Sequence, residues 1–180
     1  MPVLNWSKSD AYKAADIIRD AGGKVAGKTR LQKMAYLLEI SGLGCGFSFE
    51  YRHYGPYSEE LANGVMIAQF SDLLIEEEHM ARWGGSYSIF RAMQPTPNSD
   101  VAAARKQILD LGVESNPISL ELAATAAYLA QLPQLAGHCN FLGSEIGRAG
   151  AWDVSAARLF SAAVRRRRQR SRIDARKWRM

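Results

Sequence analysis

The sequence predicts a mainly α, α+β fold: a winged-helix-like three-helix core with a small antiparallel hairpin, followed by a C-terminal helical subdomain. Three observations predict it. Apolar residues recur at helical spacing in three successive stretches of the first 70 residues. Residues 75–82 and 86–93 then flank Trp83-Gly84-Gly85, a two-residue hairpin signal. Beyond Pro95-Thr96-Pro97 the helical period returns.

Each element has a local reason. Ser7 with Asp10 three residues later starts a first helix that runs to about Ala21, and Ala11, Ala14, Ala15 and Ile18 carry its period. In the second helix Leu31, Met34, Ala35 and Leu38 follow i, i+3, i+4, i+7. Thr29 and Gln32 fit a capping box, and the helix ends near Ser41-Gly42. Lys28, Arg30 and Lys33 fall off the apolar stripe, so they are expected to face outward. Replacing Arg30 or Lys33 by Ala should then change stability by no more than roughly 0.5 kcal/mol. Gly44 and Gly46 mark a loop. Phe47, Phe49, Tyr51 and His53 alternate with Ser48, Glu50, Arg52 and Tyr54 as a half-buried strand would, and Gly55-Pro56 turns the chain.

Ser58 caps a third helix with Glu59 and Glu60 in its positive first turn. Leu61, Val65 and Ala68 form its buried face, widened by Ile67, Phe70 and Leu74. A fourth helix spans about 100–112, with Val101, Ala104, Ile108 and Leu111 on one face and Gly112 ending it. A fifth spans 119–132 and stops at Pro133. Residues 137–150 are Gly-rich, and Asp153 caps a last helix running into the arginine run. The reading is one globular domain, 1–164, made of a winged-helix-like part (1–94) and a helical part (95–164), with a basic tail over 165–180.

Composition narrows the class. A chain of 180 residues can bury about 70% of its unfolded surface. Two cysteines, Cys45 and Cys139, are too few for a disulfide framework, and no 18-residue apolar run or signal sequence is present. A cytoplasmic location is expected. The net charge of +5 divides unevenly: the tail holds nine Lys or Arg and one Asp, leaving 14 basic against 17 acidic groups in the body. A mildly acidic body carries a strongly basic end.

Gly22, four residues, then Gly27-Lys28-Thr29 match the phosphate-binding pattern G-x-x-x-x-G-K-[ST]. That motif needs a buried strand directly before it, and a helical stretch bearing Asp16, Arg19 and Asp20 stands there instead. A helix–turn–helix joint is the simpler account; a nucleotide-binding P-loop protein is the alternative.

Three pieces carry a family resemblance: GGKVAGKTRLQKMAYLLE, FEYRHYGPYSEEL and SLELAATAAYLAQL. In this order and spacing the chain, over roughly residues 10–165, resembles the YwgA-like proteins and the Panacea-domain (SocA-type) antitoxins. The resemblance implies a mostly helical fold with a small winged-helix-like sheet. It also implies binding of partner proteins, in some members neutralisation of a neighbouring toxin, and no established catalysis. The basic tail after Val164 lies beyond it.

Candidate sites follow from residue type and spacing. His53, His79 and His138 are scattered, adjacent His138-Cys139 would not converge, and there is no C-x-x-C, so no catalytic or metal residues, and no cofactor, are assigned. Glu76, Glu77 and Glu78 read as a charged strand edge. Tyr51, His53, Tyr54 and Tyr57 around Gly55-Pro56 pin a turn and also suit a partner-binding surface, because tyrosines bury large area with few rotors. Lys28, Arg30, Lys33, Arg165, Arg166, Arg167, Arg168, Arg170 and Arg172 are candidate contacts for nucleic acid or an acidic partner. A winged helix reads DNA with its third helix, and here that helix would present Glu59, Glu60, Asn63, Gln69 and Asp72, which disfavours the usual mode. The expected function is a non-enzymatic, antitoxin-like or adaptor-like module that binds a protein partner, such as a cognate toxin, and no membrane. The alternative is a nucleic-acid-binding regulator that uses the basic tail.

Overall fold

In the computed structural model, residues 8–81, 84–94 and 102–131 are described. The chain runs α1 (Lys8–Asp20), β1 (Lys24–Ala26), α2 (Lys28–Ile40), β2 (Glu50–Arg52), β3 (Gly55–Tyr57), α3 (Glu59–Phe70), β4 (Leu74–Met80), β5 (Ser86–Ala92), α4 (Ala103–Glu114) and α5 (Pro117–Leu129). β1, β5 and β4 form an antiparallel sheet in that order, with Val25 and Glu76 both opposite Phe90. This is the winged-helix order of helices and strands, with the β2–β3 hairpin inserted between α2 and α3. The fold is mainly helical α+β, as expected.

Alanines let α1 lie close to α3: Ala11, Ala14 and Ala15 on one side and Ala68 on the other are buried. Leu61 and Val65 are buried on the same α3 face, and Ser58 caps the helix, its Oγ accepting from Leu61 N at 3.2 Å. Phe70 departs from expectation. It lies nine residues beyond Leu61, hence about 180° round the helix at 100° per residue, and is 84% exposed. Leu74 belongs to β4 rather than to α3, and its side chain is buried.

The main correction concerns α2. Its residues 31–38 are all buried, Gln32 and Lys33 included, because α4 and α5 cover the side expected to face water. A helix enclosed this way must find partners for every polar side chain it carries. Arg30 Nη1 donates to the carbonyls of Gly112, Val113 and Ser115 at 2.7, 2.9 and 2.7 Å, and its Nε donates to Ala26 O at 3.1 Å. It thereby takes up carbonyls that the end of α4 leaves without helical donors. Glu39 Oε1 accepts from the backbone N–H groups of Cys45, Gly46 and Phe47, which folds the following loop round one carboxylate oxygen. Gln131 donates to the hydroxyl of Tyr36. The predicted capping box is absent: Gly27 is the N-cap, without a side-chain cap, and Gln32 is engaged elsewhere.

Other boundaries move for equally local reasons. Gly112 lies inside α4, buried; a Cβ there would come within 2.6 Å of Met34 Cγ, so the glycine permits close packing on α2 rather than ending the helix. Asn116 caps α5, which starts at Pro117, two residues earlier than predicted. The β4–β5 loop spans residues 81–85 instead of two, with Ala81 N donating to Gly85 O at 2.6 Å. The Phe47–His53 alternation yields only the short β2. The chain turns at His53-Tyr54, and Gly55 and Pro56 stand in β3. Ser7, Trp83, the Pro95–Pro97 break, Val101, Pro133, His138, Cys139, the Asp153 helix and the tail lie outside the described residues.

Two substitutions test the buried α2. Leu38→Ala should lower the unfolding free energy by about 2–5 kcal/mol, through lost burial and the cavity left behind. Arg30→Ala should lower it by about 2 kcal/mol or more, since α4 carbonyls lose their donor. Urea unfolding measures both; an Arg30→Ala change within roughly 0.5 kcal/mol would return that side chain to the solvent.

Candidate functional site

A groove of about 440 Å³ opens where the N-terminal half of α2, the β2–β3 hairpin, α3 and the sheet meet. Its floor is apolar, with Leu31, Val65 and Phe90 contributing, and Tyr54, Tyr57 and Met66 line it as well. Near the start of α2 it is closed by a polar cluster. Glu76 accepts from Lys28 Nζ at 2.9 Å and from Gln69 Nε2 at 2.7 Å, and Ser88 Oγ also donates to it. Burial works against ionisation of Glu76, yet these donors hold its carboxyl below the usual carboxylate range.

The hairpin is fastened to the helices beneath it. Gln32 makes two bonds to Ser58, its Nε2 donating to the carbonyl at 2.9 Å and its Oε1 accepting from the amide at 2.8 Å. Lys33 Nζ donates to Pro56 O at 2.8 Å. Gly55, at φ +81°, passes so close to α5 that a Cβ would overlap Thr125 Oγ1. Arg52 pairs with Glu59 at 2.6 Å and lies 5.0 Å from the centre of the Tyr57 ring. The groove wall is thus built from the YGPY segment and anchored by α2.

Lys33 also lines the groove and is only 2% exposed. No carboxylate of the described residues lies within ion-pair distance of it. Burial pushes its amine down from 10.5 to about 8, against a partial opposing pull from Glu121.

The predicted site residues separate into groups. Tyr54 and Tyr57 meet Lys28 and Lys33 at the groove, an association between stretches about 25 residues apart that spacing alone did not reveal. Tyr51 instead faces α5, its ring 5.5 Å from that of Tyr128, and His53 is exposed in the turn. Arg30 and Lys33 are corrected as phosphate contacts, since one holds the end of α4 and the other is enclosed. Lys28 stays exposed, though paired. The six candidate arginines of the tail, Arg165 to Arg168, Arg170 and Arg172, lie outside the described residues. Sequence reasoning missed Met66 and Phe70. Their signal was an apolar pair, one turn apart, out of register with Leu61, Val65 and Ala68.

The remaining candidates have structural surroundings. Glu77 is held by Arg91 at 2.8 Å and by His79 at 3.3 Å, while Glu78 is exposed. Burial raises the Cys45 thiol, against the lowering influence of Arg105, whose Nη2 lies 3.7 Å from Sγ. A thiol raised in this way is poorly suited to nucleophilic attack. Among the described residues no group of three or more His, Cys, Asp or Glu could hold a metal ion, and no helix is long and apolar enough to cross a membrane.

Comparison of the chain with protein-family models, curated proteins and solved structures finds no match. The Gly22–Thr29 pattern has α1 before it, and its one strand, β1, falls inside the pattern, between the two glycines. The arrangement differs from the strand–loop–helix that cradles phosphates.

Two outcomes are expected here. Lys28→Ala should leave the fold intact, and magnesium-ATP should not shift the thermal midpoint of either protein; a magnesium-dependent shift lost in the variant would restore the phosphate loop. For Lys33, the folded amine releases its proton near pH 8 while the unfolded one holds it to about 10.5. The unfolded state therefore binds more protons in that window, and stability rises with pH. Relative to Lys33→Met, the wild type should gain about 2 kcal/mol between pH 7 and pH 10. A constant difference in urea unfolding across that range would mean that the amine is solvated.

Proposed function

We propose that this chain is a non-enzymatic protein-interaction module of the antitoxin or adaptor kind, and that it docks a partner protein over the groove. The observation that carries this reading is exposed apolar surface at and next to the groove: Tyr54 lines it at 68% exposure, Met66 lines it at 36%, and Phe70, one turn beyond Met66 on α3, is 84% exposed. Large side chains left in water beside a concave apolar surface are what a binding face requires, and aromatic anchors typically dominate such faces. Part of the groove lining, with Leu31, Gln32, Tyr54 and Tyr57 in it, lies in the GGKVAGKTRLQKMAYLLE and FEYRHYGPYSEEL pieces on which the resemblance to the Panacea-domain antitoxins rests. A cytoplasmic protein partner, for instance the toxic product of a neighbouring gene, fits that reading. The nucleic-acid alternative now depends on the basic tail, since Arg30 and Lys33 are engaged inside the body.

The test is affinity capture from the native host, followed by co-expression with the captured protein. Phe70→Ser and Tyr54→Ala should each weaken capture about tenfold or more. Because both side chains are exposed, neither should move the thermal midpoint appreciably. Full-strength capture by folded variants would refute the docking face; retardation of duplex DNA that is lost on removal of residues 165–180 and fades between about 50 and 200 mM salt would favour nucleic acid.

A further inference from the structure

Ala62, Met66 and Phe70 follow one another along α3 at four-residue spacing, the row that helices present to each other when they pack. The first two line the groove, together with Tyr54 and Tyr57, and Phe70 continues the row outside it, exposed. One strip of surface thus holds both a hollow and a projection. The hollow lies at Ala62, where the side chain is a single methyl group beside two tyrosines. The projection is the Phe70 ring, eight residues and about 12 Å further along the helix. A rigid helix holds that ring away from the hollow of its own chain, so only another molecule brings the two together.

Met66 stands midway, four residues from each. A two-fold axis passing beside Met66 pairs two α3 helices antiparallel, and the equal spacing then sets Phe70 of each copy over Ala62 of the other. Charge agrees with this arrangement. Arg52 sits at the start of α3, 2.6 Å from Glu59, and Asp72 is exposed just beyond its end. Antiparallel pairing brings Asp72 of one copy towards Arg52 of the other, and the carbonyl end of each helix towards the amide end of its neighbour. Parallel pairing would instead set Asp72 against Asp72 and leave each Phe70 without a hollow.

We propose that two copies of this chain associate through α3, Phe70 of each entering the groove of the other at Ala62. The inference rests on the same face as the docking reading and names what covers that face when no other protein is bound. A second copy and a partner protein then compete for one surface. The contact draws on one helix and one hairpin from each copy, so association is weak and depends on concentration.

Sedimentation velocity on the full chain tests it. The wild type should pass from monomer to dimer between about 1 and 200 μM. Phe70→Ser, which removes the projection, and Ala62→Arg, which fills the hollow, should each raise the dissociation constant about tenfold or more. Met66→Cys, on the axis, should give a disulfide-linked dimer under mild oxidation. Val113→Cys, at a similarly exposed position on α4, should not, and the wild type with its own Cys45 and Cys139 is the blank. Should Ala62→Arg fail to fold, the wild-type concentration series and the cross-linking pair still decide. A chain that stays monomeric to 200 μM, a dimer indifferent to Phe70→Ser, or cross-linking that is equal at positions 66 and 113 would each overturn the proposal. The two readings fail separately: partner capture by a chain that is always monomeric removes the dimer alone, and a dimer that captures nothing removes the docking reading alone.

Discussion

Everything described in this molecule depends on the enclosure of α2. Once α4 and α5 close over it, Arg30, Gln32, Lys33, Tyr36 and Glu39 cannot reach bulk water freely, and each must be satisfied by another segment. The helix accordingly acts as a hub. Arg30 fixes the end of α4, Gln32 the cap residue of α3, Lys33 the YGPY hairpin, and Glu39 the loop that follows α2 itself. A second arginine repeats the device from the opposite direction: Arg105, near the start of α4, pairs with Asp20 at 2.9 Å and also donates to Leu43 O. Helix α4 is thus tied at both ends to the α1–α2 half, and the winged-helix part and the helical part share one core.

Such long-range polar bonds explain which parts of the fold were legible from sequence. Periodicity and capping are local, and they located α1, α3, the β4–β5 hairpin and the Ser58 cap, since each rests on neighbours within a few residues. The orientation of α2 is not local. An apolar stripe with lysine and arginine beside it describes a surface helix, and the same pattern describes a buried helix whose cations bond to carbonyls 23 or 82 residues away. Nothing in spacing separates the two. The one local hint was density: Leu31, Met34, Ala35, Tyr36, Leu37 and Leu38 occupy more than one face, wider than a single stripe needs.

The site was legible in halves for a similar reason. Aromatic clustering round Gly55-Pro56 marked the hairpin, and the basic residues round Gly27 marked the start of α2. Their convergence on one groove depends on Gln32 holding Ser58 and Lys33 holding Pro56, side chains that the sequence reading assigned to a capping box and to solvent. The exposed apolar pair on α3 went unseen because Phe70 was counted as core; an aromatic residue at the last position of a helix fits either face until the register of Leu61, Val65 and Ala68 is applied strictly.

Gln32 and Lys33 are adjacent, yet they carry different energetic consequences. A neutral amide that makes two bonds to the Ser58 backbone is fully matched to its surroundings, and structural fixation accounts for it. An ammonium group bound to one carbonyl is not matched, because a neutral donor could serve Pro56 without the desolvation of a charge. The fold therefore tolerates at Lys33 a penalty that holding the hairpin does not require. The penalty falls where β3 meets α5: Nζ bonds Pro56 O at 2.8 Å and lies 3.8 Å from where a Cβ on Gly55 would stand, so it is borne at the joint that seats the hairpin.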